Sequence, residues 1–209
     1  MGTSILKTIH IEPSTRCTLL CPQCPRTEYI DRISPEDCDI DITVKGCRGF
    51  DLIIMCGNHG DPIYHADFHG LISSLRADQP HVRFNIITNG SHRSASWWKT
   101  TARLLVPGDS ITFSIDGMPN NNHQYRINSR WQSIEDAVVA LRKYGSPQLN
   151  LVWKWILFKY NEHDVQIGIQ LAKMLGFNKF VLVDSVRNEP GEPLTPTRSI
   201  NSILEQVHA

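Results

Sequence analysis

Short β-branched runs alternate with segments of helical period along most of the 209 residues, and this alternation is the feature that most restricts the fold. The runs are Leu6 to Glu12, Asp51 to Cys56, Val82 to Thr88, Ser110 to Ile115, Leu149 to Phe158 and Lys179 to Asp184. Their length and composition predict strands. Between them Phe68, Leu71, Ile72 and Leu75 fall at i, i+3, i+4 and i+7, as do Ile134, Ala137, Val138 and Leu141, so each set makes one apolar side of a helix. Further helices are expected from about Ser94 to Leu105 and from about His163 to Leu175, the second closed by Gly176, where a left-handed cap is common. A first helix is expected between Ser34 and Gly46, where Ser-Pro-Glu-Asp is an N-terminal signal, although the Asp-Ile-Asp-Ile-Thr-Val run reads equally well as extended.

Strands separated by helical segments imply βα units and a parallel sheet, because a parallel return needs a crossover of about a dozen residues or more. Six such units predict an α/β fold, a partial (β/α)6 barrel, since a closed barrel of this kind takes eight. One domain over 1–209 is expected, with a short irregular tail from about 188; Asn120 to Asn122 and the Pro-rich Asn188 to Pro196 stretch read as surface loops. Ligands of parallel βα folds lie at the carboxyl ends of the strands, and the polar clusters of this chain fall there.

Lys plus Arg and Asp plus Glu both number 21, so the chain has no broad basic field and a nucleic-acid partner is not expected. Its apolar runs are far shorter than the roughly 20 residues that cross a bilayer. The Met-Gly-Thr-Ser-Ile-Leu-Lys start lacks the pattern of a secretory signal, so a cytoplasmic location is expected.

Cys17-Thr-Leu-Leu-Cys21-Pro-Gln-Cys24 puts three of the six cysteines into eight residues just after the first strand. In a chain with enough apolar content for a full core, this spacing favours metal or cluster ligation over disulfides. Three thiolates can hold a cubane iron–sulfur cluster and leave its fourth iron open. The same residues also suit a zinc site completed by a histidine, or an electron-transfer cluster with a distant fourth cysteine.

The CxxxCxxC spacing after the first strand of a βα series resembles the radical S-adenosylmethionine superfamily. That resemblance implies a [4Fe–4S] cluster on Cys17, Cys21 and Cys24, with S-adenosylmethionine chelating the open iron and yielding a 5′-deoxyadenosyl radical. The residue before the third cysteine, often aromatic in the family, is Gln23 here. Further motifs resemble the molybdopterin-cofactor and peptide-maturing branches. Cys56-Gly-Asn-His-Gly60-Asp61-Pro62 is similar to the family's Gly-Gly-Glu-Pro segment, which makes Gly60 and Asp61 candidates for the amino group of S-adenosylmethionine. Thr88-Asn89-Gly90 and Ser114-Ile-Asp116-Gly117 end the third and fourth strands and implicate Asn89, Ser114 and Asp116 in cofactor binding. The later His123-Gln-Tyr125-Arg126 makes Arg126 the partner of the cofactor's carboxylate, a task that suits the planar guanidinium fork. Phe158 to His163 and Leu175 to Phe177 continue the resemblance, which thus covers nearly the whole chain.

Cys38, Cys47 and Cys56 recur every nine residues, but free cysteines are among the most buried residue types, and no cysteine follows Cys56 to supply a C-terminal auxiliary cluster. His59 and His65 bracket the Gly-Asp-Pro segment and are candidates for substrate contact, against the commoner packing or surface roles of a lone histidine. Trp153 and Trp155 lie on one face of the fifth strand and Lys154 on the other. The implied activity is reductive cleavage of S-adenosylmethionine and hydrogen abstraction from a small-molecule or peptide substrate, with flavodoxin or ferredoxin as electron donor. Rival roles are those of 7-carboxy-7-deazaguanine synthase or of a glycyl-radical activase, and, in a different class, a non-catalytic Fe–S or zinc-binding module.

Overall fold

The computed structural model describes residues 6–28, 39–185 and 193–208. Six strands, β1 (Thr8–Ile11), β2 (Leu52–Met55), β3 (Arg83–Thr88), β4 (Ser110–Ser114), β5 (Asn150–Leu157) and β6 (Lys179–Asp184), form one sheet in sequence order. Every neighbouring pair is parallel, and β1 and β6 are not paired with each other, so the barrel is open. Four crossovers carry helices: α1 (Phe68–Asp78), α2 (Ala95–Leu104), α3 (Trp131–Tyr144) and α4 (Val165–Leu175). All eight apolar positions singled out on α1 and α3 are buried. Ser94 caps α2 by accepting from Trp97 N, and Gly176 ends α4 at φ 95°, in the left-handed region that glycine enters without Cβ strain.

The strands alternate with period two. Ile9 and Ile11, Ile53 and Met55, Phe84 and Ile86, Ile111 and Phe113, and Trp153 and Trp155 all pack into one core beneath the helices. The opposite face, carrying His10, Ile87, Ser114, Lys154, Ile156 and Val183, borders a cavity. The two indoles are therefore core, and Lys154 looks the other way.

Three expectations change. Over 39–46 the anticipated first helix is absent: Asp39 makes an antiparallel bridge with Ser14, and only a 3-10 turn forms at Val44–Cys47; 34–38 lie outside the described residues. Here β-branched Ile42, Thr43 and Val44 favour extension, and Asp39 is held by Arg16 at 2.5 Å. The tail is not irregular throughout, because α5 (Ile200–His208) docks Ile203 beside Leu157 and Val165; 188–192 lie outside the described residues. Asn121 and Asn122 are buried rather than on the surface, since their amides satisfy main-chain groups of the turn after β4: Asn122 Oδ1 accepts from Asp116 N at 2.9 Å, and Asn121 Oδ1 from Met118 N at 2.7 Å.

Candidate active site

The cavity, about 550 Å³, opens at the carboxyl ends of the strands. Cys17, Cys21 and Cys24 all border it, together with Gly60, Asp61, Asn89, Ser114 and Arg126. Eight of the nine candidate residues from five separate segments thus meet in one space.

The cysteine loop is held by its own polar groups and by neighbours distant in sequence. Cys24 N donates to Cys21 O at 3.0 Å, and Leu20 N to Ile127 O at 3.2 Å. The buried Arg26 guanidinium donates to the carbonyls of Cys17 (3.2 Å) and Leu19 (2.8 Å), bracing the loop from beneath. Leu19 and Cys21 pack with Tyr125 and Phe158, whose rings lie 4.3 Å apart, so the loop rests on a small apolar platform.

Two thiol sulfurs receive N–H donors. Leu19 N and Asn89 Nδ2 point at Cys17 Sγ, at 3.4 and 3.5 Å, and Arg126 Nη1 at Cys21 Sγ, at 3.8 Å. Burial, reinforced by the nearby Asp61 carboxylate, pushes the Cys17 thiol up to about 12; burial also raises Cys21, against the pull of Arg126. Among the described residues no three His, Cys, Asp or Glu side chains are arranged to hold a single metal ion; the thiols border a shared space instead. One buried and two partly buried thiols, with N–H donors aimed at two of them, suit an iron–sulfur cluster, whose sulfurs are commonly hydrogen-bonded in this way.

The segment after β2 is stitched against the chain that leads into the cysteine loop. Asp61 N donates to Arg16 O at 2.8 Å, and a Cβ on Gly60 would lie 2.1 Å from Ser14 O. Gly60→Ala must therefore push two backbone segments apart, and is expected to cost about 1–3 kcal/mol, read as a lower denaturant midpoint at unchanged slope. Glu12, at the end of β1, accepts from Asn58 N, Asn58 Nδ2 and His59 N and so holds the tip of this loop.

Asp61 is 3 % exposed, and its carboxylate already has four donors: Ile63 N on Oδ1, and Thr88 Oγ1, Asn89 N and Asn89 Nδ2 on Oδ2. Burial outweighs these bonds and raises its pKa to about 6. Its clearest structural effect is to orient Asn89, whose Nδ2 is shared between Asp61 and Cys17.

Asp116 does not reach the cavity. It is fully buried, with Oδ2 2.5 Å from Arg126 Nε and Oδ1 accepting from Ile156 N at 2.7 Å. Burial pushes this carboxyl up and Arg126 pulls it back. Burial also works against the guanidinium charge, but Asp116 and Cys21 outweigh it and keep Arg126 protonated. Asp116, expected as a cofactor contact, instead holds Arg126 and the Ile156 main chain, both of which border the cavity.

Neither His59 nor His65 borders the cavity, whereas His10 and Cys56 do, with Cys56 Sγ 3.4 Å from His10 Nδ1. His10 was legible in principle, since period-two alternation sets it opposite the core residues Ile9 and Ile11. Cys47 lies in the main core on the other face of the sheet, and Cys38 lies outside the described residues.

The family model described as the Radical SAM superfamily matches residues 11–172, well over half the chain and all nine candidate residues. The chain belongs to the radical SAM superfamily. Solved structures of radical SAM enzymes share its fold. SuiB of Streptococcus suis bound to its precursor peptide SuiA superposes with a TM-score of 0.70 at 14% identity, covering 98% of this chain and 46% of SuiB. Native anSMEcpe with bound AdoMet and the Kp18Cys peptide gives 0.70 at 15%, covering 90% and 55%. TYW1 with a lysine–pyruvate adduct gives 0.64 at 13%, covering 96% and 72%. The chain spans about half the length of the first of these relatives. No curated protein sequence matches it. No helix among the described residues is long and apolar enough to cross a membrane.

Proposed function

We propose that this radical SAM protein cleaves S-adenosylmethionine reductively at a [4Fe–4S] cluster on Cys17, Cys21 and Cys24 and abstracts hydrogen from a peptide or small-molecule substrate. The observation that supports this reading most is the meeting of the three thiols with Gly60, Asn89, Ser114 and Arg126 in one cavity at the strand ends. A cluster bound there supplies the electron that breaks the sulfonium bond, giving methionine and a 5′-deoxyadenosyl radical.

The chain's own residues hold, orient and shield. Arg26 fixes the carbonyls of the loop, Leu19 N and Asn89 stabilise charge on Cys17, and Tyr125 and Phe158 keep water from one side. Gly60 lets the segment after β2 approach closely and Asp61 locks Asn89, while Ser114 and Arg126 face the cofactor's carboxylate-bearing end. Binding of a precursor peptide by SuiB and of peptides by anSMEcpe favours a peptide among substrates. A cytoplasmic setting with flavodoxin or ferredoxin as donor fits a cluster that must be kept reduced.

Anaerobic reconstitution, followed by dithionite and S-adenosylmethionine, tests the reading. Formation of 5′-deoxyadenosine by protein carrying four irons is expected. A non-catalytic iron–sulfur module would keep the iron and give none, which would overturn the proposal.

A further inference from the structure

A carbon radical left on a substrate must be discharged, and a hydrogen atom delivered by the protein does that in one step. Cys56 and His10 border the same cavity as the three candidate ligands and have no part in the cysteine loop. Cys56 N donates to Ile11 O at 3.0 Å, so the ladder runs one residue past β2. Because Met55 enters the core, the period of two turns the Cys56 thiol to the cavity face, beside His10 of β1. Cys47 makes the contrast: it lies in the main core at 2 % exposure, where a free cysteine serves as a small hydrophobe.

The setting of Cys56 suits hydrogen-atom transfer. At 7 % exposure the sulfur is shielded from bulk water, yet it has two acceptors within reach, His10 Nδ1 at 3.4 Å and Ile54 O at 3.9 Å. Burial, and after it the Glu12 carboxylate, raise this thiol against the pull of Lys154, so the sulfur keeps its proton. The His10 imidazole is exposed and gives the shielded sulfur a route for proton exchange with solvent. Of the other cavity-lining groups, the hydroxyls of Thr88 and Ser114 and the amide of Asn89 hold their hydrogens more strongly than a thiol does. The phenol of Tyr125 is comparable to a thiol, but its ring packs on Phe158 beneath the cysteine loop.

We infer that Cys56 is the hydrogen-atom donor of this cavity, with His10 as the residue that orients its thiol and returns its proton. The S–H bond breaks homolytically, its hydrogen atom forms the new C–H bond on the substrate radical, and a thiyl radical remains on Cys56. One electron from a low-potential donor of the class that reduces the cluster, and one proton passed through His10, restore the thiol. The product then carries a hydrogen that came from solvent, and the substrate is not oxidised. This inference rests on the proposed use of S-adenosylmethionine, and its test separates the two.

The full chain, reconstituted anaerobically and freed of small thiols, is exchanged into deuterium oxide and treated with dithionite and S-adenosylmethionine in the absence of substrate, so that the 5′-deoxyadenosyl radical meets the donor directly. Mass spectrometry reads the deuterium fraction of the 5′-deoxyadenosine, not its amount. Wild type is expected to give mainly the singly deuterated nucleoside. Cys56→Ser and Cys56→Ala, matched for iron content and circular dichroism, are expected to carry less label by about tenfold or more, because neither offers a weakly held exchangeable hydrogen. His10→Gln is expected to label the first equivalent as wild type does and later ones progressively less; undiminished label removes His10 from the inference. Unlabelled nucleoside from wild type overturns the inference, as does label that survives in both Cys56 variants or that disappears only in Tyr125→Phe. Wild-type protein that forms no 5′-deoxyadenosine overturns the proposed function itself. If both Cys56 variants fail to fold, spin trapping of wild type during turnover decides: a nitrone adduct mapped to Cys56 supports the inference, and its absence there sinks it.

Discussion

In Cys21→Ala, reconstituted protein is expected to lose the four-iron cluster and with it all formation of 5′-deoxyadenosine, while far-UV circular dichroism stays close to wild type. Cys21 is the most deeply set of the three thiols, at 7 % exposure, and it joins Leu19, Tyr125 and Phe158 in the platform under the loop. Alanine keeps the apolar packing of that site and removes the long contact from Arg126 Nη1, at 3.8 Å, so the folding cost is expected to be modest. The chemical cost is not modest, because two remaining thiolates cannot hold three irons of a cubane. Iron and sulfide analysis together with chromatography of the nucleoside product check the prediction. Full iron content and unabated cleavage in the variant would remove Cys21 from the ligand set.

The second large effect concerns stability. Asp116→Ala is expected to lower unfolding free energy by about 2–4 kcal/mol, because it strands a largely buried guanidinium, 16 % exposed, with its counter-charge removed. Arg126 loses its partner at 2.5 Å, and Ile156 N loses its acceptor at 2.7 Å, at the point where β5 approaches the cavity. The main-chain bonds of residue 116 survive, since its carbonyl still accepts from Tyr160 and from Asn161 Nδ2 at 2.8 Å. Guanidinium unfolding under anaerobic conditions measures the loss. Removing both charges, in Asp116→Ala with Arg126→Met, is expected to recover part of it, as a stranded charge predicts and a merely missing contact does not.

These two residues mark different degrees of legibility. The spacing of Cys17, Cys21 and Cys24 is local, and a ligand set confined to eight residues announces itself without a fold. Asp116 sits in a motif recognisable as a motif, yet its side chain is fully buried and holds Arg126 rather than bordering the cavity itself. Asp61 shows the same shift in milder form, bordering the cavity while its carboxylate is occupied by Thr88 and Asn89. Arg26 and Glu12 gave no signal at all, because each acts by holding main-chain groups, and main-chain groups have no sequence signature.

The sequence by itself determined the order of strands and helices, the face of each strand that enters the core, and the three thiols beside the first strand. These follow from short-range regularities: a period of two in strands, of 3.6 in helices, and the reach of one loop. The tertiary structure alone decided which polar groups at the strand ends remain open to a ligand and which satisfy one another. Such pairings join residues far apart in the chain, such as Arg126 with Cys21 or Asn89 with Asp61, and they depend on strand register and on how each loop closes over the sheet. Burial then makes them consequential, because a charge inside the protein needs a partner, and only the folded chain determines which partner it gets.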